Sequence, residues 1–185
     1  MLFSLNASSQ INRLYFNFGY GYPRHWEANA TVHFMNYFSA NFHYGTSSVP
    51  TSHYYTSYHF GLGFDKPYKD KYTYTGFFVG GTTRSRGAVN ASLMAGYSHL
   101  NAKDYFNFHD TTNYFGDTWE THDVRYPSAN SLTIRFDLAI ALSTSVGLNL
   151  GIMQNFNKID NTFSACLGLN IGLIRERRES DNTIH

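Results

Sequence analysis

The sequence predicts an all-β fold, an eight-stranded antiparallel up-and-down transmembrane β-barrel with one long extracellular loop. First, apolar side chains alternate with polar or small ones along almost the whole chain, which is the period of a β-strand. Second, the alternating segments run about ten to fifteen residues, against five or six in an average strand, and a tilted strand needs about nine to eleven to cross a bilayer. Third, aromatic residues make up 18% of the chain and charged residues only 15%.

The composition excludes several other classes of protein. A soluble domain carries about 25% charged residues, and a helical membrane protein needs a run of roughly 20 apolar residues, which this chain lacks. Mean hydropathy is −0.37, as expected when only every second residue of a strand faces lipid. A net charge of +1 gives no nucleic-acid signature. The single cysteine, Cys166, excludes a disulfide framework within the chain.

The individual strands follow from the alternation. Its clearest stretch is the series Leu132, Ile134, Phe136, Leu138, Ile140 and Leu142, which alternates with polar or small residues. The same pattern predicts strands near 11–20, 30–44, 53–64, 72–82, 88–100, 130–142, 145–156 and 161–174. Asn36 is a misfit on the apolar side of strand 30–44. The facing of strand 72–82 stays open, because Phe77 and Phe78 are adjacent.

The connections between these strands fit one orientation in the membrane. An even number of strands puts both termini on one side, where bacterial barrels have short turns, and the long loops lie outside. The short connections 83–87 and 143–144 fall on the terminal side, and the longest, 101–129, falls on the outer side. The connection 45–52 is longer than such turns usually are. We interpret Tyr105, Phe106 and Phe108 as a β-extension of the long loop.

The two faces of the strands differ in chemistry. The apolar face carries no formal charge, and the other face combines small residues with Arg13, His33, His43, His59, Arg135 and Asp137. This predicts a narrow polar lumen, since eight strands leave an interior just wide enough for side chains. Arg13, Arg135 and Asp137 are predicted to form a polar network there, either a salt-bridged plug or a constriction that selects small solutes. Tyrosines near strand ends are expected in the interfacial girdles: Tyr20, Tyr44, Tyr54, Tyr72 and Tyr97.

The long loop is the best candidate for a binding surface. Its candidate residues are Tyr105, Phe108, Tyr114, Trp119 and Tyr126, because exposed aromatic residues are enriched at interfaces. The alternative is that these rings pack on one another and order the loop. The loop also contains His109-Asp110 and His122-Asp123, which weakly suggest a divalent ion.

The histidines do not predict a catalytic or metal site. His33 and His43 are separated by about 33 Å if they lie on one strand, so they cannot share a metal. Ser98 and His99 are adjacent, and adjacent strand residues face opposite sides. We therefore expect no catalytic residues, no metal and no cofactor.

Three motifs resemble a known family: Phe18-Gly19-Tyr20-Gly21, Ala95-Gly96-Tyr97 and Gly147-Leu148-Asn149-Leu150-Gly151. Together with the strand pattern over residues 10–173, they resemble the small outer-membrane β-barrels of Gram-negative bacteria, the OmpA/OmpX-like proteins. The resemblance implies a barrel at 11–174 in the bacterial outer membrane. Residues 1–10 are expected to be a signal-peptide remnant or a disordered extension, and 175–185 a periplasmic tail.

The expected function is a non-enzymatic one, a structural, accessory or binding role through the 101–129 loop. The expected partners are outer-membrane lipid and a protein or glycan at the loop, without nucleic acid. The alternatives are a narrow channel or small-solute transporter, a lipid-modifying barrel enzyme, and a soluble lipocalin-like barrel. The last requires Leu138, Leu150 and Leu169 to line a central cavity.

Overall fold

The structure is a computed structural model that describes residues 11–59, 62–83, 88–112, 118–159 and 161–174, with the backbone alone at the hairpin tips. The residues at both ends, for which a signal remnant and a tail were predicted, lie outside this range. The strands are β1 (Ile11–Tyr22), β2 (His25–Phe34), β3 (Phe38–His59), β4 (Leu62–Thr82), β5 (Val89–Thr112), β6 (Thr118–Arg125), β7 (Ser128–Ala141), β8 (Val146–Phe156) and β9 (Thr162–Leu173). In the described part of the chain, no helix is long and apolar enough to span a membrane.

Eight of these strands form a closed antiparallel ring. Each ring strand pairs with the next ring strand along the chain, so that β5 pairs with β4 and with β7, and β9 pairs with β1 to close the ring. Strand β6 stays outside the ring and pairs only with the far end of β5, from Asp104↔Arg125 to Thr112↔Thr118. The predicted eight-stranded barrel is confirmed, and β6 with the end of β5 forms the predicted β-extension of the long loop.

The outward face of the ring is an apolar belt. Its side chains include Phe16, Phe42, Leu93, Ile134, Leu150 and Leu169, which are between 40% and 60% exposed. None of the described outward side chains between the two rims of the belt carries a formal charge. The run from Phe163 to Leu173, at about 3.3 Å per residue and a tilt of about 40°, spans about 25 Å, the height of a membrane belt. The soluble alternative is therefore wrong, because Leu150 and Leu169 face outward and not into a cavity.

The lumen has the opposite character. Fully or almost fully buried polar side chains line it from β1, β2, β3, β7 and β9, among them Arg13, His33, His43, Arg135 and Asn170. Burial decides the facing of strand β4, which the sequence left open. Phe78 points into the lumen at 0% exposure, and Phe77 points outward at 56% exposure. Tyr72 also points inward at 9% exposure, so its predicted place in the girdle is wrong, whereas Tyr20 and Tyr97 face outward.

Two hairpins project from one end of the barrel, which we call the hairpin end. Strand β3 pairs with β2 only as far as Thr46, but it pairs with β4 as far as His59↔Leu62. About 40 Å of the β3–β4 hairpin therefore rises beyond the ring. The β5–β6 ladder rises by about 26 Å of strand beyond Asp104. The opposite end carries the short connections 35–37, 83–88 and 142–145 together with the start of β1 and the end of β9.

Two predicted strands have the wrong bounds. Strand 30–44 spans the real turn between β2 and β3, where Met35 and Asn36 have positive φ values of 51° and 66°. Asn36 was the misfit in the alternation because asparagine tolerates this turn conformation. Strand 53–64 likewise spans the tip between β3 and β4, and the predicted connection 45–52 is part of β3. The alternation of apolar and polar residues continues through both turns, so the sequence pattern did not indicate where they lie.

Candidate functional site

The centre of the lumen is organised by one guanidinium held between two carboxylates. Arg135 donates from Nε and Nη2 to Asp137 Oδ2 and Oδ1 at 2.7 and 2.8 Å. It also donates from Nη1 and Nη2 to Glu27 Oε2 and Oε1 at 2.9 and 2.7 Å. All three residues are at most 5% exposed. Two bidentate pairs of this kind fix the guanidinium in position and in plane.

Amide side chains extend this charged cluster around the lumen. Asn29 Nδ2 donates to Glu27 Oε1 at 2.9 Å, and to Asn17 Oδ1 at 3.2 Å. Asn17 in turn donates to Asn170 Oδ1 at 3.0 Å, which crosses from β1 to β9. Asn149 Nδ2 donates to Asp137 Oδ1 at 2.9 Å. The charges therefore have the hydrogen-bond partners that buried carboxylates require.

Glycines make room for these side chains. Gly19 on β1 and Gly45 on β3 are the two cross-strand neighbours of Glu27. A Cβ at Gly151 would lie 2.9 Å from Arg135 Nη2 and 3.1 Å from Asp137 Oδ1. A larger residue at Gly151 would displace the Arg135–Asp137 pair, because real Cβ atoms essentially never approach another heavy atom within 3.0 Å.

The predicted lumen residues are only partly brought together. Arg135 and Asp137 form an ion pair at 2.7 Å. Arg13 is also fully buried, but it pairs across the sheet with His33 near the opposite end of the barrel from the hairpins. The partner of Arg135 across the lumen is instead Glu27, which lies between the predicted strands 11–20 and 30–44. The signal that identifies it is the inward series His25, Glu27, Asn29, Thr31 and His33, which alternates with Trp26, Ala28, Ala30 and Val32.

Apolar side chains close the lumen above this cluster. At the hairpin end, Tyr72, Tyr74, Leu100 and Ala102 pack together, with Ile159 of the β8–β9 connection against them. A second cluster, Phe78, Met94 and Met153, lies beside the charged residues.

Aromatic side chains from the two projecting hairpins pack against each other. We call this group the aromatic cluster: His53, Tyr68, Tyr105, Phe108 and His122. His53 stacks on Phe108 with ring centroids 3.7 Å apart, and Tyr68 lies 4.5 Å from His122 and 5.2 Å from Tyr105. The cluster draws His53 and Tyr68 from the β3–β4 hairpin and the other rings from the β5–β6 hairpin, so the two projections form one unit.

Two polar contacts reinforce this union of the hairpins. His53 Nδ1 lies 2.7 Å from Glu120 Oε1, and the Tyr105 N–H donates to Asp70 Oδ1 at 2.9 Å. Burial raises the pKa of the Asp70 carboxyl, and the neighbouring Asp104 acts in the same direction.

The predicted loop residues have different positions. Tyr105 and Phe108 belong to the aromatic cluster, where they pack as the alternative interpretation expected. Tyr126 lies between β6 and β7 and is 73% exposed. Tyr114 and the side chain of Trp119 lie outside the described residues, as does the side chain of His59 predicted for the lumen.

The structure separates Ser98 from His99. Ser98 is 1% exposed in the lumen and bonds to Thr133 at 2.7 Å, whereas His99 faces outward and bonds to Asn130. His33 and His43 lie on β2 and β3, not on one strand as the distance argument assumed. Among the described residues, one cluster could hold a metal ion: His25, Glu27 and Cys166, whose potential ligand atoms all lie within 4.8 Å of one another.

Comparison with known proteins gives matches in structure only. No protein-family profile and no curated protein sequence matches the chain. The N-terminal β-barrel domain of Pseudomonas aeruginosa OprF superposes with a TM-score of 0.56 at 9% identity, covering 88% of this chain and 97% of that one. Ail, the attachment invasion locus protein of Yersinia pestis, superposes with a TM-score of 0.51 at 11% identity, covering 88% and 96%.

These similarities show the fold of small outer-membrane β-barrels of the OmpA/OmpX-like kind. The apolar belt and polar lumen independently place the ring of strands in a lipid bilayer. The chain therefore has the fold of a transmembrane β-barrel whose outward side chains face lipid.

Proposed function

We propose that this integral outer-membrane β-barrel is a non-enzymatic binding protein that recognises a protein or glycan through its two projecting hairpins. The observation that carries the proposal is the aromatic cluster, which fixes the two hairpins against each other. Binding by a preformed surface avoids the entropy cost of ordering a loop. Long hairpins held in one arrangement are therefore suited to recognition.

Exposed aromatic side chains on this unit would supply the contacts. Tyr54 and Tyr126 are 56% and 73% exposed, and Phe106 is 39% exposed beside the guanidinium of Arg125. Tyrosine and arginine are enriched in interface hot spots, and flat aromatic faces also suit sugar rings. This set supports either a protein or a glycan as the partner.

The lumen supports binding over transport. A solute would have to pass the Glu27–Arg135–Asp137 cluster and the apolar clusters, all of which are buried. Moving Arg135 out of the path breaks two bidentate pairs. Transport of small solutes through a narrow channel is the second candidate function, and the charged residues that line the lumen are the observation that favours it.

The binding proposal is tested by shortening one hairpin. Pro50 and Lys69 are cross-strand partners, so replacing residues 51–68 by Asn-Gly leaves a two-residue turn and keeps the ladder below. Wild type, this variant and Tyr126→Ala are reconstituted in nanodiscs and applied to glycan arrays and immobilised extracellular proteins. We expect a specific ligand for the wild type, at least tenfold weaker binding by the shortened variant, and heat-modifiable gel migration for all three.

Equal binding by the shortened variant would refute the assignment of the hairpins. Planar-bilayer recordings test the alternative, since stepwise conductance by the wild type would favour a channel. Mass spectrometry of lipid A and phospholipid incubated with the protein tests the absence of enzymatic activity, and any change in either would contradict it.

A further inference from the structure

Three side chains with metal-binding atoms converge inside the barrel at the point where the ring closes. His25 and Glu27 come from β2 and Cys166 from β9, and β1 runs between them. Gly21 of β1 is the cross-strand partner of both His25 and Cys166. A Cβ at Gly21 would collide with the Ala165 carbonyl oxygen, so glycine allows β1 and β9 to pair here, and the metal-binding atoms of the three side chains lie within 4.8 Å of one another. We propose that His25, Glu27 and Cys166 form a zinc-binding site that connects the first, second and last strands of the barrel.

The state of His25 points to a ligand. Its side chain is 0% exposed, and neither ring nitrogen makes a hydrogen bond to any residue that the structure describes. Buried polar atoms are nearly always bonded, and an exception calls for a bound ion or water. His25 Nε2 lies 3.5 Å from Glu27 Oε2, beyond good hydrogen-bond distance but suited to two atoms that share a metal.

The distances suit tetrahedral zinc. Bonds of about 2.0–2.2 Å to nitrogen and oxygen place two such ligands about 3.3–3.5 Å apart, which matches the 3.5 Å between His25 Nε2 and Glu27 Oε2. Cys166 Sγ lies within 4.8 Å of both, and rotation about its Cα–Cβ bond can shorten that distance. Three protein ligands leave the fourth position to water.

The nitrogen, oxygen and sulfur donor set also favours zinc. A thiolate and an imidazole exclude Mg²⁺ and Ca²⁺, which prefer oxygen ligands. The carboxylate makes the set less suited to Cu⁺, which prefers soft ligands.

The surroundings support a cation here. Glu27 and Asp137 carry two negative charges against the single positive charge of Arg135. Binding of Zn²⁺ forms a Zn–S bond as the Cys166 thiol releases its proton to solvent, so the whole group becomes neutral. Arg135 holds Glu27 through hydrogen bonds to both carboxylate oxygens, as residues around a metal commonly orient its ligands.

The consequence of the site is structural. The barrel closes through the β1–β9 pairing, and a metal that links β2 to β9 holds that closure from inside. Because ligands scattered in the unfolded chain do not form a site, metal binding stabilises the folded barrel. Zinc should therefore raise the denaturant midpoint of unfolding.

The test uses the full chain refolded from denaturant into detergent micelles with Co²⁺ or Zn²⁺. We expect one ion per chain after dialysis, the visible bands of tetrahedral Co²⁺ and a thiolate-to-cobalt charge-transfer band. Cys166→Ser should remove the charge-transfer band, and His25→Gln should lower metal content at least fivefold. His33→Gln, which alters another buried lumen histidine, should change neither.

Two outcomes would overturn the proposal. One is wild-type protein that folds, as judged by heat-modifiable migration, but holds no Co²⁺ or Zn²⁺ after dialysis. The other is a Co²⁺ spectrum without a thiolate band. Both readouts use the wild type, so they decide the question even where a variant fails to fold.

Discussion

Removal of the Arg135 guanidinium should destabilise the barrel far more than removal of an exposed one. In Arg135→Met, the carboxylates of Glu27 and Asp137, which are 2% and 5% exposed, lose their positive partner. Breaking a buried ion pair by deleting one member costs about 3–5 kcal/mol, because a charge is left without compensation. The free energy of unfolding should fall by that amount.

Arg125 provides a matched control on the same barrel. It pairs with Asp104 at 3.1 Å, but its side chain is 61% exposed, so water replaces much of what is lost and Arg125→Met should cost about 1 kcal/mol or less. A triple variant, Glu27→Gln with Arg135→Met and Asp137→Asn, removes the charges together. It should recover most of the lost stability, since neutral replacement of a buried charge cluster is often tolerated.

The assay is equilibrium unfolding by urea in lipid vesicles, with a chelator present so that metal makes no contribution. The folded fraction is measured by heat-modifiable gel migration and by tryptophan fluorescence. The reasoning is refuted if Arg135→Met loses no more stability than Arg125→Met, or if the triple variant is no more stable than Arg135→Met alone.

Three further variants test other parts of the structure. Gly151→Val should cost about 1–3 kcal/mol by overpacking against Arg135. Gly81→Val should cost little, because among the described residues the one atom near its Cβ position is the Tyr37 carbonyl oxygen at 3.9 Å; equal urea midpoints would contradict this. Phe108→Ala removes the stacking on His53, an aromatic contact of about 0.5–1.5 kcal/mol, so limited proteolysis of the β5–β6 hairpin should accelerate about 2- to 10-fold with the barrel intact. Phe106→Ala is the control for that experiment, and equal acceleration by both would show that the cluster does not hold the hairpins. Leu169→Arg in the belt should cost about 2–4 kcal/mol in vesicles against about 1 kcal/mol or less for Thr73→Arg near the rim, and equal costs would contradict the membrane position.

Facing along each strand could be predicted from sequence with few errors. Arg135 and Asp137 were placed in the lumen, and Leu150 and Leu169 on the lipid side, because alternate residues of a strand point to opposite sides whatever the partner strand is. Tyr72 was wrong because tyrosine suits both an interfacial girdle and a lumen, and its position near a strand end did not distinguish the two.

Strand ends were predicted less well. The turn at Met35 and Asn36 interrupts a run in which apolar residues continue on the expected face, so nothing in the alternation marked it. Likewise, the second strand was predicted to begin near residue 30, although β2 begins at His25, directly after Pro23 and Arg24. Misplacing that boundary removed Glu27 from the predicted lumen network and His25 from consideration as a ligand.

The sequence by itself determined the class of fold and the side to which most residues point, because these depend on local periodicity. Only the tertiary structure decided which inward residues meet. Glu27 and Arg135 are 108 residues apart, and Gly21 lies between His25 and Cys166 only in the observed register. Sliding a strand by two residues preserves every facing while changing every partner across the lumen, so alternation alone cannot specify a site.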